Sequence, residues 1–192
     1  MRIGVLALQG DFSAHQKALQ AAGIDAPEVR TSDALEGLDG LVMPGGESTT
    51  MLKLMSIYGL VDPIRQFVAN GGGVFGTCAG VILMANKVTN PEQVSFGFMD
   101  VDVKRNAYGR QLDSFITNLD AKPLGDKPLE AVFIRAPAVE RVGDKVEVLA
   151  ECNGKPVLLR QGKHLAATFH PELTGDCRVH EYFARMLVES GR

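Results

Sequence analysis

The sequence predicts a single α/β domain built on an open, mostly parallel sheet with helices on both faces. Over residues 1–85, short apolar runs alternate with segments of helical periodicity, the order that yields parallel strands joined by crossover helices. Beyond residue 85 the runs become short, strand-like and separated by Gly, Pro, Asn or Asp, the texture of a more antiparallel region. A third feature fixes where chemistry belongs. The apolar run at 74–77 meets Gly76-Thr77-Cys78-Ala79-Gly80 and continues as Val81-Ile82-Leu83-Met84-Ala85, which reads as strand, sharp elbow and helix.

The first run, Ile3-Gly4-Val5-Leu6-Ala7-Leu8, reads as a buried strand ending at Gln9-Gly10-Asp11. A helix is predicted over 13–22, with Ala14, Ala18, Leu19 and Ala22 on one face and Gly23 as its stop. An extended piece at 26–30 and a turn of helix after Ser32 lead to Gly40-Leu41-Val42-Met43, a buried strand bounded by Pro44. After Pro44-Gly45-Gly46-Glu47-Ser48-Thr49-Thr50, helical patterns occupy 51–58 and 61–70, with Pro63 in the first turn of the second. Gly71-Gly72-Gly73 then opens the elbow strand. Further strands are expected at 94–103, 114–118, 129–134, 145–152, 156–161 and 164–169. Residues 179–189 form an amphipathic helix with Val179, Phe183, Met186 and Leu187 at core spacing. No repeat, low-complexity stretch or linker divides the chain, so 1–192 is read as one domain.

Composition excludes several classes of function. Lys plus Arg total 20 against 23 for Asp plus Glu, a net charge of -3 without a basic run, which argues against nucleic acid as partner. Three cysteines, odd in number and without a Cys-x-x-Cys pair, fit neither a disulfide framework nor a zinc site, and imply a reducing compartment. Met1-Arg2 runs directly into the first strand, and no run approaches membrane-spanning length. The expectation is a cytoplasmic protein with no metal and no cofactor.

Cys78 is the candidate nucleophile. At an elbow of this kind the central side chain is lifted out of the backbone, Gly76 and Gly80 permit the close approach of helix to strand, and the helix start favours thiolate over thiol. The run Leu165-Ala166-Ala167-Thr168-Phe169 delivers His170-Pro171-Glu172 at its carboxyl end. Residues two apart in an extended segment point the same way, so Glu172 can reach one ring nitrogen of His170 and leave the other for the sulfur. Nucleophile, base and orienter then suit acyl transfer. Oxyanion donors are expected from the N–H of Ala79 and from the Gly45-Gly46 segment. A phosphate loop is disfavoured, because the Gly-x-x-x-x-Gly-Lys pattern is missing and Glu47 would repel phosphate. His15 and His180, on predicted helices, and His164, near a turn, are expected to face solvent, and Cys152 and Cys177 to be structural.

With Pro44-Gly45-Gly46-Glu47-Ser48, Gly76-Thr77-Cys78-Ala79-Gly80 and His170-Pro171-Glu172 in this order, the chain resembles the class I, triad-type glutamine amidotransferases over nearly its whole length. Within that class it is most similar to the glutaminase subunits of pyridoxal 5′-phosphate synthases. That likeness rests on Gly4-Val5-Leu6-Ala7-Leu8-Gln9-Gly10, Glu47-Ser48-Thr49-Thr50, Arg105-Asn106-Ala107-Tyr108-Gly109-Arg110-Gln111, Phe133-Ile134-Arg135-Ala136-Pro137 and His170-Pro171-Glu172-Leu173-Thr174. Ala107-Tyr108 stands where the family usually carries Ser-Phe. The resemblance implies a flavodoxin-like fold and hydrolysis of L-glutamine through a glutamyl thioester on Cys78, with His170 and Glu172 completing the triad. It also implies an oxyanion hole at Gly46 and Ala79, and glutamine contacts from Gly46, Glu47, Ser48, Arg105, Ile134 and Arg135. Either arginine can meet the glutamine carboxylate. The implied partner is a (β/α)-barrel synthase subunit assembled in rings, contacted near Gln9 and Gly10, which receives the ammonia for vitamin B6 synthesis. A glutaminase subunit of another amidotransferase, or a cysteine hydrolase of related fold, is the alternative.

Overall fold

In the computed structural model, which describes residues 1–106 and 114–189, the alternating half of the chain forms the expected parallel layer. The order begins β1 (Ile3–Leu6), α1 (Phe12–Ala21), β2 (Glu28–Val29), β3 (Gly40–Met43), α2 (Ser48–Ile57), α3 (Val61–Ala69), β4 (Gly73–Thr77) and α4 (Ala79–Met84). It continues with β5 (Ala85–Thr89), β6 (Met99–Lys104), β7 (Ser114–Leu119), β8 (Leu129–Ile134), β9 (Ala138–Val142), β10 (Glu147–Cys152), β11 (Lys155–Gln161), β12 (His164–Ala167) and α5 (Arg178–Glu189).

Seven strands build the main sheet in the order β10-β11-β12-β4-β3-β1-β2. The run from β2 to β12 is parallel, β11 pairs antiparallel with β12, and β10 pairs antiparallel with β11 and so runs in the direction of the parallel layer again. Because successive residues of a strand point to opposite faces, the buried strands feed two cores. On one face Val5, Phe75 and Leu165 pack with Leu19 of α1, Phe183 of α5 and Phe133 of β8. On the other, Val74 and Leu41 pack with Met51 of α2, Ile64 of α3 and Val81 of α4. The antiparallel pairs β6–β9 and β7–β8 flank this frame.

Several local expectations give way to tertiary pairing. The helix after Cys78 stops at Met84, and Ala85 turns extended to begin β5, which pairs parallel with β6. The strand expected over 94–103 starts only at Met99. Strand β9, a short run between Pro137 and Gly143, was not foreseen: it is held by pairing with β6, where Arg141 bridges Asp100 and Asp102. Positions 107–111 of the arginine-bounded motif, including Ala107-Tyr108, lie outside the described residues. Among the described residues, no helix is long and apolar enough to cross a membrane.

The three histidines expected at the surface are not there. His15 and His180 are fully buried, and His164 is half-buried against Phe98, its Nδ1 accepting the Val74 N–H at 3.2 Å. Helical periodicity places His15 one turn before Leu19 and His180 one turn before Phe183 and Ala184, on the inward faces of α1 and α5.

Candidate active site

Parallel strands deliver their following loops to one edge, and ligand sites of open α/β sheets form there. Gln9 and Gly10 follow β1, Gly45 and Gly46 follow β3, Cys78 follows β4, and His170 lies just beyond β12. Since β3 lies between β1 and β4, and β12 beside β4, all four loops converge. They line a cavity of about 410 Å³. Every residue assigned above to catalysis, the oxyanion, glutamine or the partner lines it except Glu172, which sits behind His170. Asn106, Pro137 and Leu173, which the sequence motifs contain without assigning them a role, also line it. A wider cleft of about 520 Å³ opens at the amino ends of β3, β4 and β12 and carries neither cysteine nor histidine.

The elbow is real and strained. Cys78 has φ 47 and ψ -102, a backbone conformation that side-chain-bearing residues rarely adopt outside functional turns. Its N–H donates to the Ala167 carbonyl at 2.9 Å, tying the elbow to β12. A Cβ on Gly80 would collide with the Met43 carbonyl, so glycine there is what lets α4 start so close to β3. The Ala79 N–H, first in the helix, has no intrahelical acceptor. Gly45 is glycine for a similar reason: a side chain would strike the His170 imidazole.

His170 Nδ1 and Glu172 Oε1 are 2.7 Å apart, both residues less than a tenth exposed. The reach comes from a turn of 3-10 helix, Pro171–Leu173, rather than from the extended segment expected. Burial of the imidazole opposes its charge, but hydrogen bonds to Cys78 and Glu172 and their charges outweigh it, so its pKa is pushed up to about 10. Glu172 is buried too, which works against its charge, yet the facing His15 and His170 hold its carboxyl well below the usual carboxylate range. Cys78 Sγ lies 3.7 Å from the Ile134 carbonyl oxygen. Arg135 beside it has φ 44, a second strained residue at the cavity.

The opposite wall is charged. Arg105 Nη2 meets Glu47 Oε1 at 3.1 Å. The other Glu47 oxygen caps α2, accepting the Thr50 N–H at 2.7 Å and the Thr49 hydroxyl. Burial raises the Glu47 pKa, these hydrogen bonds lower it more, and the result is held down at about 2. The Glu47 N–H donates to Gln9 Oε1 at 2.8 Å, which ties the Gly46-Glu47 peptide to the end of β1. Ser48 is buried and its hydroxyl donates to Gln93 Oε1 at 2.8 Å. Among the described residues no cluster of His, Cys, Asp and Glu is arranged to hold a metal.

Comparisons with known proteins agree on one group. Residues 5–189 match the SNO glutamine amidotransferase family. A "Pyridoxal 5'-phosphate synthase subunit PdxT" of Kosmotoga olearia is 49% identical over 189 residues, 98% of each chain. The protein of that name in Corynebacterium jeikeium is 53% identical over 100% of this chain and 99% of its own. A solved structure described as "Crystal structure of glutamine amidotransferase" superposes with a TM-score of 0.92 at 50% identity, covering 98% of this chain and all of its own. PurLQS from Thermotoga maritima, at 15% identity and a TM-score of 0.67, shares the fold. A full-length match in sequence and in fold, around a cysteine elbow facing a histidine and a glutamate, is decisive: the chain belongs to the SNO glutamine amidotransferase family.

Proposed function

We propose that this chain is the glutaminase subunit of a pyridoxal 5′-phosphate synthase, hydrolysing L-glutamine to L-glutamate and ammonia at the cavity around Cys78. The observation that carries the reading is the strained Cys78 elbow facing the buried His170–Glu172 pair. Relatives about half identical over their full length carry the synthase-subunit name, which supports the pathway.

Cys78 attacks the side-chain amide carbon as thiolate, with His170 as the imidazolium that accompanies it. The tetrahedral oxyanion is met by the N–H groups of Ala79 and Gly46. His170 then gives its proton to the departing nitrogen, leaving the glutamyl thioester. It next takes a proton from water, and the resulting hydroxide releases glutamate. Glu172 keeps the Nδ1 proton in place and stabilises the imidazolium throughout.

Free glutamine is a zwitterion, so both signs of charge are needed in its pocket. Glu47, Arg105 and Arg135 supply them, with Gly46, Ser48 and Ile134 shaping the wall, and an arginine suits the α-carboxylate. Ammonia released into water at neutral pH is largely protonated and no longer nucleophilic, so the product passes directly to a partner. That partner is a (β/α)-barrel synthase subunit in a ring-shaped assembly, contacting the chain near Gln9 and Gly10, in the cytoplasm. The Gln9 tie to the Gly46-Glu47 peptide gives this contact a route to the oxyanion hole.

The test is glutamate release by the purified chain with and without the synthase subunit, Cys78→Ala as control. We expect weak activity alone, strong stimulation by the partner, and none with Cys78→Ala. Full activity from the isolated chain would remove the route from the partner contact through Gln9 to the oxyanion hole; Cys78-dependent hydrolysis without any stimulation would remove the pathway assignment.

A further inference from the structure

Behind the Glu172 carboxylate lies a polar network that the reaction as described does not use. His15 of α1 and His180 of α5 are fully buried, with His15 Nδ1 3.0 Å from His180 Nε2. His15 Nε2 lies 3.0 Å from Thr77 Oγ1 and 3.4 Å from Glu172 Oε2. The other carboxylate oxygen is the one paired with His170 Nδ1. Phe75 meets both imidazoles edge-on, at centroid distances of 6.0 and 5.6 Å, and fixes their planes. Two buried imidazoles cost more than two apolar side chains of similar size unless their polar atoms are used.

The protons have one self-consistent arrangement. His180 Nδ1 has no hydrogen-bond partner, and a bare lone pair is tolerated in a core where an orphan N–H is not. The proton of neutral His180 therefore sits on Nε2 and is donated to His15 Nδ1. His15, accepting there, carries its own proton on Nε2 and donates it to Thr77 Oγ1, with Glu172 Oε2 3.4 Å from the same nitrogen. Burial agrees, pushing the His180 pKa well below its ordinary value. No hydrogen bond reaches the buried Glu172 Oε2, which His15 Nε2 faces at 3.4 Å, so imidazoles stand at both carboxylate oxygens, His170 hydrogen-bonded to Oε1 and His15 in a longer electrostatic contact with Oε2. The same His15 N–H reaches Thr77, the residue before Cys78, so one ring ties the nucleophile's strand to the orienting carboxylate.

We propose that His15 and His180 are positioning residues of the reaction: His180 sets the tautomer of His15, and His15 holds the Glu172 carboxylate where it keeps His170 Nδ1 protonated and Nε2 directed at Cys78. The proposal rests on the Cys78–His170–Glu172 reading above. The titratable groups facing His15 are His180 from α5 and Glu172 from the 3-10 turn, with His170 and Cys78 beyond Glu172.

Two readouts test it in His15→Leu, His15→Gln and His180→Phe. One is kcat and KM for glutamine in the complex with the synthase subunit. The other is the pH profile of Cys78 alkylation by iodoacetamide, which needs no substrate. His15→Leu is expected to lower kcat by about tenfold, the scale of a lost electrostatic contact at the buried carboxylate together with the hydrogen bond to Thr77, with KM changed by less than about threefold. Its Cys78 alkylation at pH 7 slows, because His170 is no longer held to draw the thiol proton. His15→Gln, whose amide still offers a donor to Glu172, recovers most of the loss. His180→Phe shifts both readouts in the same direction by a smaller factor. A folded His15→Leu with wild-type kcat and alkylation profile overturns the proposal, as does a loss that His15→Gln fails to restore. If His15→Leu does not fold, His180→Phe decides: unchanged kcat and unchanged alkylation overturn it. Failure of the underlying triad looks different, because alkylation of Cys78 in the otherwise wild-type chain is then indifferent to His170→Ala.

Discussion

At the scale of single residues, the Glu172 carboxylate acts together with Cys78 to keep His170 charged. The pKa of His170 is pushed up to about 10 against the pull of its own burial, through Cys78 and the Glu172 carboxylate. Glu172→Gln preserves the shape and removes the charge, so the His170 pKa should fall toward ~6.5. The kcat of glutamate release should then fall by on the order of 10² to 10⁴. An imidazole NMR titration and initial-rate kinetics on the same variant check both; an unchanged His170 titration would show that the carboxylate does not set its charge. The Cys78 elbow and the His170–Glu172 pair were legible in the sequence because each is a local motif. His15, His180 and Thr77 were not. A histidine in a helical pattern carries no mark of what its face meets, and here α1, α5, β4 and the turn after β12 come together from four parts of the chain.

At the scale of elements, α4 approaches the end of β3 so closely that only glycine fits at position 80. Gly80→Ala places a methyl group against the Met43 carbonyl, and backbone cannot retreat as a flexible side chain would. A loss of roughly 1–3 kcal/mol in unfolding free energy is expected, measurable by urea denaturation, with Cys78 alkylation slowed as the elbow shifts. Equal stability of Gly80→Ala and wild type would mean that the helix start can move without cost. The strands of the parallel layer were readable because each is an apolar run with both faces buried. By contrast β5 begins at Ala85, where an apolar residue ends a helical run without a glycine stop, and β9 is one short segment that only β6 makes into a strand. The reach of Glu172 was anticipated from the right residues but for a different geometry, a 3-10 turn in place of extended chain.

At the scale of the whole molecule, buried histidines set the response to acid. Burial pushes the His164 pKa down to about 4 and that of His180 well below its ordinary value. Both are neutral when folded, whereas the unfolded chain binds protons there below pH ~6.5. Their contribution is thus fully present above that pH and lost as pH falls toward the folded values, at up to ~1.4 kcal/mol per pH unit for each group. His170 has the opposite sign: its folded pKa is raised, so its contribution is present below pH ~6.5 and lost as pH rises through about 10. Urea denaturation at pH 7 and pH 5 should show lower stability at pH 5, and His164→Gln should flatten that difference. No change in the slope for His164→Gln would mean that this ring is protonated in the folded protein.

The sequence by itself determined the parallel α/β layer, the elbow at Cys78, the pairing of His170 with Glu172, and the loops that line the cavity. Each of these is written in contiguous residues whose periodicity or turn chemistry acts locally. Only the tertiary structure decided that His15 and His180 are buried behind Glu172, that Gln9 holds the Glu47 N–H, and that Ser48 is occupied by Gln93. Those contacts join residues from 38 to 165 positions apart. The physical reason is that a polar side chain reveals its role only when the fold removes water and leaves it one remaining partner.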